Sequence, residues 1–277
     1  MSTKNKFKEM SFLDHLEDLR WLLIRSSIAV IVAAAVAFTF SDFLFDTVIF
    51  GPKQSDFVTY QWFCDLAIRF DLDKSFCNKE LPFELQNRKM EGQFSVMLWT
   101  SITAGLILAA PFILWEIWKF ISPAMYQNEK KYARTFIGST SILFFLGVAF
   151  GYFVLVPLSI NFLANIQISN EVTNQIDINS YIGLVKTTSL ATGLIFELPI
   201  IIFFLAKLGI VSTENLKSFR RYAYVLILIV ASFITPPDVI SQIIVSIPMV
   251  ILYELSIIIS KIINKQNQDT SHEITSR

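Results

Sequence analysis

Long stretches without a single Asp, Glu, Lys or Arg alternate along this chain with short charged ones. Residues 26–41, 92–115 and 135–170 carry no charge at all. Residues 181–206 carry only Lys186 and Glu197, residues 222–237 none, and residues 239–260 only Glu254. About 20 apolar helical residues cross a bilayer, so the pattern predicts an all-α membrane protein of six transmembrane helices. The 36-residue run 135–170 is expected to break near Pro157. The fifth span is short, since only 13 residues separate Arg221 from Thr235-Pro236-Pro237. A short span that thins the bilayer locally is preferred here to a re-entrant segment.

Composition agrees. Hydrophobic residues make up 53% and charged residues 17%, against about 25% charged in an ordinary soluble chain. Disorder and a soluble fold are both excluded by so apolar a chain. The formal net charge is zero, which removes any general attraction to nucleic acid. The charges are nevertheless sorted. With six spans the segments 1–25, 116–134, 207–221 and 261–277 share one side and hold 16 basic and 9 acidic residues. The opposite segments, 42–91, 158–186 and 236–240, hold 7 and 12. The excess of Lys and Arg marks the first side, with both termini, as cytoplasmic.

Residues 1–264 therefore read as one transmembrane domain, with an amphipathic N-terminal helix at 11–22 and a long outer loop at 42–91. A polar tail at 265–277 is expected to be disordered. Ala35-Val36-Ala37 resembles a signal-peptide cleavage site. However, it follows a mixed-charge preamble of 25 residues, and cutting there would remove the first span, so the segment reads as retained.

Enzyme signatures are scarce. The two histidines, His15 and His272, lie near opposite termini. No clustered metal ligands and no Gly-rich phosphate loop occur, so neither catalysis nor a metal or cofactor is expected. Cys64 and Cys77 both fall in the long outer loop, where an oxidising compartment would join them as a loop staple.

Four stretches hold candidate chemistry. In Ser11-Phe-Leu-Asp-His-Leu-Glu-Asp-Leu-Arg20 the residues Phe12, Leu16, Leu19 and Leu23 recur at helical spacing. Ser11 and Asp14 resemble a capping box. Asp14, Glu17 and Asp18 put three carboxylates beside a leaflet that favours basic residues, as a receiver of a basic ligand would. Glu129, in Phe120-Ile-Ser-Pro-Ala-Met-Tyr-Gln-Asn-Glu129-Lys-Lys, precedes a basic cluster. Glu197 is an acid at membrane depth, costing about 2.5–3.5 kcal/mol on insertion scales. Lys186, Ser189, Gly193 and Glu197 form one stripe, which reads as the lining of a wet groove, and Pro199 loosens the helix there. Glu254 lies nearer the interface and reads equally as structural. Asp238, in Thr235-Pro-Pro-Asp-Val-Ile-Ser-Gln242, reads as a helix cap.

These stretches, in this order, resemble the TatC family, the receptor core of the twin-arginine protein translocase. The likeness is carried by His15-Leu-Glu-Asp-Leu-Arg20, by Pro111 through Lys131, by Phe196-Glu-Leu-Pro199, and by Thr235 to Gln242 with Tyr253-Glu254. The resemblance implies a cupped six-helix fold with short fifth and sixth spans in the bacterial cytoplasmic membrane. It implies binding of folded precursor proteins through twin-arginine signal peptides and assembly with single-span TatA- or TatB-type partners in hetero- and homo-oligomers. Export would be driven by proton-motive force. By the same resemblance Asp18 and Glu129 are the carboxylates that receive the arginines, with Arg20 and Phe120 close by. Glu197 belongs to the intramembrane groove, and Pro52, Asp238 and Gln242 match positions tied to function or partner contact.

The chain departs from the family pattern in three places. Asp18 stands where Glu is usual, which makes Glu17 the alternative contact. Leu22 replaces a common basic residue, and the outer loop is longer than the family's. A proton-coupled secondary transporter using Glu197 is the rival class. It predicts internal repeats with interrupted helices, and the sequence contains none.

Overall fold

Helix initiation in the first span begins earlier than the hydrophobic run. In the computed structural model, which describes residues 12–54, 56–71, 77, 83–121, 133–166, 169, 174–207, 211–235 and 239–275, α1 runs from Phe12 to Thr39 without interruption. No Gly or Pro separates the acidic turn from the Ala- and Val-rich stretch. The predicted interfacial helix and first span are therefore one rod of 28 residues, about 42 Å long. Ser11, the expected cap, lies outside the described residues.

The chain divides into two units, residues 1–39 with 101–141, and residues 40–100 with 142–277. In the first, α1 meets α3 (Gly92–Ile121) at Gly105, where an added Cβ would fall 2.5 Å from the Ala34 nitrogen. Small residues permit that approach, as is usual where helices associate in lipid.

In the second unit the described residues of the 42–91 segment are structured and not a plain loop. A π-helical stretch at Phe43–Ile49 and a 3₁₀ turn at Gly51–Lys53 lead into α2 (Val58–Phe70). The strand β1 (Glu84–Gln86) pairs in parallel with β2 (Gln175–Asp177). At three residues each, these strands are too short to show an alternating pattern, and the sequence reading missed them.

The expected break at Pro157 does not occur. α4 (Ala133–Phe150) widens into a π-helical stretch, Gly151–Leu155, and continues as α5 (Val156–Asn165). Proline removes one donor and crowds the carbonyl four residues earlier, and the wider turn absorbs that crowding. α6 (Ile178–Phe196) starts on Asp177, whose carboxylate accepts from the Asn179 backbone and side chain at 2.8 and 2.9 Å. Those hydrogen bonds hold the Asp177 carboxyl below the usual range.

After α6 come α7 (Leu198–Lys207), the short α8 (Thr213–Ser218), α9 (Arg220–Ile234) and α10 (Val239–Thr275). α9 stops because Thr235, preceding Pro236, is extended at ψ 153, as a residue before proline prefers. The α10 backbone stays helical to Thr275, through the tail expected to be disordered. After Pro248 the sequence to Thr275 has no Gly or Pro to stop a helix already under way.

Among the described residues five helices are long and apolar enough to span a membrane: Leu13–Thr39, Gly92–Ile121, Ile137–Asn165, Ile178–Phe203 and Ser241–Lys261. The predicted short span is α9, whose 15 residues rise about 22 Å, less than the roughly 30 Å hydrocarbon core. Large apolar side chains stand outward along these helices, among them Ile31, Phe145 and Ile251. Water would not tolerate so much exposed apolar surface; lipid does. This is a polytopic helical membrane protein.

Candidate functional site

In the first unit, Glu17, Asp18 and Arg20 all lie exposed on the first turns of α1. His15 stacks on Phe120, in the last turn of α3, with ring centroids 4.3 Å apart. Asp18 follows His15 by three residues and so shares its face, whereas Glu17 points to the far side of the helix. Among the described residues neither carboxylate takes an ion pair. Glu129 lies outside the described residues.

One acid here escaped the sequence reading. Glu116 is buried at 4% exposure, with Arg25 Nη1 at 3.4 Å on one oxygen and Lys119 Nζ at 2.5 Å on the other. The signal was present: Glu116 ends an uncharged run and has Lys119 three residues on.

In the second unit, Glu197 occupies the break between α6 and α7. Its N–H turns back to Leu194 and Ile195, because Pro199 denies Ile195 a helical donor. Its side chain is buried, and Oε1 has no hydrogen-bond partner among the described residues. The stripe leading to it is not a wet lining over its middle. Ser189 and Gly193 are buried, and a Cβ on Gly193 would fall 2.7 Å from Val148 and 3.0 Å from Phe144. A Cβ on Gly147 would meet the Thr192 carbonyl at 2.7 Å, and one on Gly151 would collide with the Thr192 hydroxyl. Gly147-x-x-x-Gly151 is thus the close-packing motif of a membrane helix pair, which the sequence reading passed over.

Glu254 is paired. Arg220 Nη2 lies 2.6 Å from one oxygen, and the Tyr224 hydroxyl donates to the other at 2.6 Å. Arg220 and Tyr224 are four apart on α9 and so project together. Gln242 Nε2 donates to the Leu228 carbonyl at 3.1 Å, tying α10 to α9. Asp238 lies outside the described residues.

Pro52 is fully buried. The Tyr60 hydroxyl contacts its carbonyl at 2.9 Å and that of Pro157 at 3.3 Å, and burial pushes the Tyr60 phenol up. Cys64 and Cys77 form the expected disulfide, tying α2 to the segment that follows it.

A family model described as Sec-independent protein translocase protein (TatC) matches residues 14–248. The protein of that name from Blattabacterium is 42% identical over 264 residues, covering 95% of this chain and 99% of the relative. TatCy of Bacillus subtilis is 31% identical, with 97% and 96% covered. Among solved structures, a crystal structure of the twin arginine translocase receptor TatC superposes with a TM-score of 0.67 at 29% identity, covering 90% of this chain and 99% of that one. A second, in DDM, gives 0.69 at 30% identity, covering 89% and 99%.

Proposed function

Because the chain belongs to the TatC family of Sec-independent protein translocase proteins, we propose that it is the receptor that binds twin-arginine signal peptides of folded precursors. The reading places residues 116–134 and both termini in the cytoplasm and the chain in a bacterial inner membrane. It takes Asp18 and Glu129 as the two acceptors. A carboxylate binds a guanidinium through two parallel hydrogen bonds that Lys cannot reproduce, which accounts for a demand for arginines. Arg20 and Phe120 border the site, and Glu17 is the secondary acid.

One observation carries most weight: Asp18 is exposed, without an ion pair among the described residues, on the face whose His15 stacks against Phe120. In this reading the apolar part of the signal lies along the groove near Glu197. Single-span TatA- or TatB-type partners then assemble with the loaded receptor, and proton-motive force drives export. An unpartnered carboxylate oxygen in a membrane span is costly, and a partner helix bearing a polar group would relieve it. The family resemblance further assigns Pro52, Asp238 and Gln242 to function or partner contact. Photocrosslinking of a twin-arginine precursor to membranes holding this protein tests the reading. Capture should fall with Asp18→Ala or Glu129→Ala, and capture undiminished from the parent level in both variants would overturn it.

A further inference from the structure

Trp21, Arg25, Trp115, Glu116 and Lys119 gather where the middle of α1 meets the last turns of α3. Ala34 meets Gly105 and Arg25 meets Glu116, so the two helices run antiparallel. Arg25 is the last charge before the uncharged run 26–41, and Glu116 and Lys119 are the first charges after 92–115. The cluster therefore lies where hydrocarbon gives way to headgroups.

Glu116 draws together two cations that would otherwise repel. The side chains of Arg25 and Lys119 remain 53% and 49% exposed, so their remaining N–H donors face outward. The Arg25 guanidinium lies 5.8 Å from the Trp21 ring centroid and the Lys119 ammonium 5.0 Å from that of Trp115. Both rings are about half exposed. Two cations and one carboxylate leave a single positive charge uncompensated, unlike the Arg220–Glu254 pair, which balances one for one.

We infer that this cluster is a binding site for the phosphodiester headgroup of an anionic phospholipid. One phosphodiester neutralises the cluster. Arg25 has the fork to take two phosphate oxygens, and Lys119 supplies a point charge. The two indoles, amphipathic rings at headgroup level, pack against the glycerol region. A zwitterionic lipid brings its own cation and leaves the surplus uncorrected, so the site discriminates by net charge.

Native mass spectrometry of the full chain in neutral detergent, with equimolar phosphatidylglycerol and phosphatidylcholine, tests this. One uncompensated positive charge near a surface should favour phosphatidylglycerol by about fivefold. In Arg25→Gln/Lys119→Gln that preference should fall to about twofold or less, while Lys119→Arg keeps it. Equal retention of both lipids by the parent protein, or an unchanged ratio in the double variant, overturns the proposal. Displacement of phosphatidylglycerol by inorganic phosphate at the same concentration also overturns it, because the site would then take any small anion. Should the double variant fail to fold, Lys119→Gln alone should lower the ratio about threefold or more, and no change there refutes the site equally.

Discussion

Thr59 completes a helix that Pro157 leaves open: its hydroxyl donates to the carbonyl of Phe153, the residue four before the proline. Phe57 stacks on Phe153 beside this contact, with centroids 5.8 Å apart. Thr59 is itself buried, so no solvent replaces the bond. Thr59→Val keeps the shape and strands the carbonyl, which costs about 1–3 kcal/mol. Thermal unfolding in detergent should show Thr59→Val several degrees below the parent, and Thr59→Ser close to it. A valine variant that melts with the parent would show that the bond contributes nothing.

Gly105 and Gly138 make a contrasting pair. A Cβ on Gly105 would lie 2.5 to 2.8 Å from backbone and Cβ atoms of Ala34, whereas nothing lies within 4 Å of one on Gly138. Backbone cannot step aside, so Gly105→Ala must part α1 from α3, at about 1–3 kcal/mol. Gly138, inside α4, gains up to about 1 kcal/mol of helix propensity as Ala. Folded yield and melting temperature should drop for Gly105→Ala and hold or rise for Gly138→Ala. The reverse order would refute the packing account.

Tyr60 gives a pH-dependent prediction. Burial raises its phenol, so the neutral form is the one the folded chain prefers. Its contribution is complete below the unfolded value of about 10 and fades as pH rises through the higher folded value. The parent should lose stability between neutral and strongly alkaline pH by more than Tyr60→Phe does. That variant lacks the bond to the Pro52 carbonyl and has no proton to lose. Parallel alkaline melting curves for the two proteins would count against this role.

The disulfide is tested through loop closure. Cys64 and Cys77 are 13 residues apart, a loop whose closure is worth about 3 kcal/mol in the chain-entropy account. Reduction, or Cys64→Ser with Cys77→Ser, should lower the melting temperature while precursor capture stays intact. If capture fails before unfolding does, the staple has a functional role beyond stability.

What the sequence revealed and what it hid divide along physical lines. Charge-free runs located Leu13–Thr39, Gly92–Ile121 and Ser241–Lys261, because burial in lipid is a one-dimensional property of composition. Glu197 stood out because an acid in an apolar run is costly wherever the chain folds. The partners of the acids were hidden: Arg25 lies 91 residues from Glu116 and Arg220 lies 34 from Glu254, and no local pattern encodes such meetings. Thr59 and Phe153 are 94 apart, so Pro157 read as a break when a distant hydroxyl let the helix continue. The Gly147 and Gly151 spacing is legible in the sequence, whereas the polar stripe on α6 predicts a wet surface where two helices touch.

Of the three acids on α1, Glu17 and Asp18 are the candidate arginine contacts, and their geometry predicts which one matters. Asp18 lies three residues after His15, which stacks on Phe120, so it faces the end of α3. Glu17, two residues after His15, is displaced from it by about 160° around the helix at 3.6 residues per turn and faces away. If Asp18 receives a signal-peptide arginine through a charge-assisted hydrogen bond of about 1.5–3 kcal/mol, Asp18→Ala should weaken precursor binding roughly tenfold or more. Asp18→Glu, which restores the carboxylate with one more methylene of reach, should retain most of it. Glu17→Ala should stay within about twofold of the parent. Titrating a fluorescent twin-arginine peptide against the four proteins in detergent measures all of these. A larger loss from Glu17→Ala than from Asp18→Ala would move the arginine contact to the opposite face of α1.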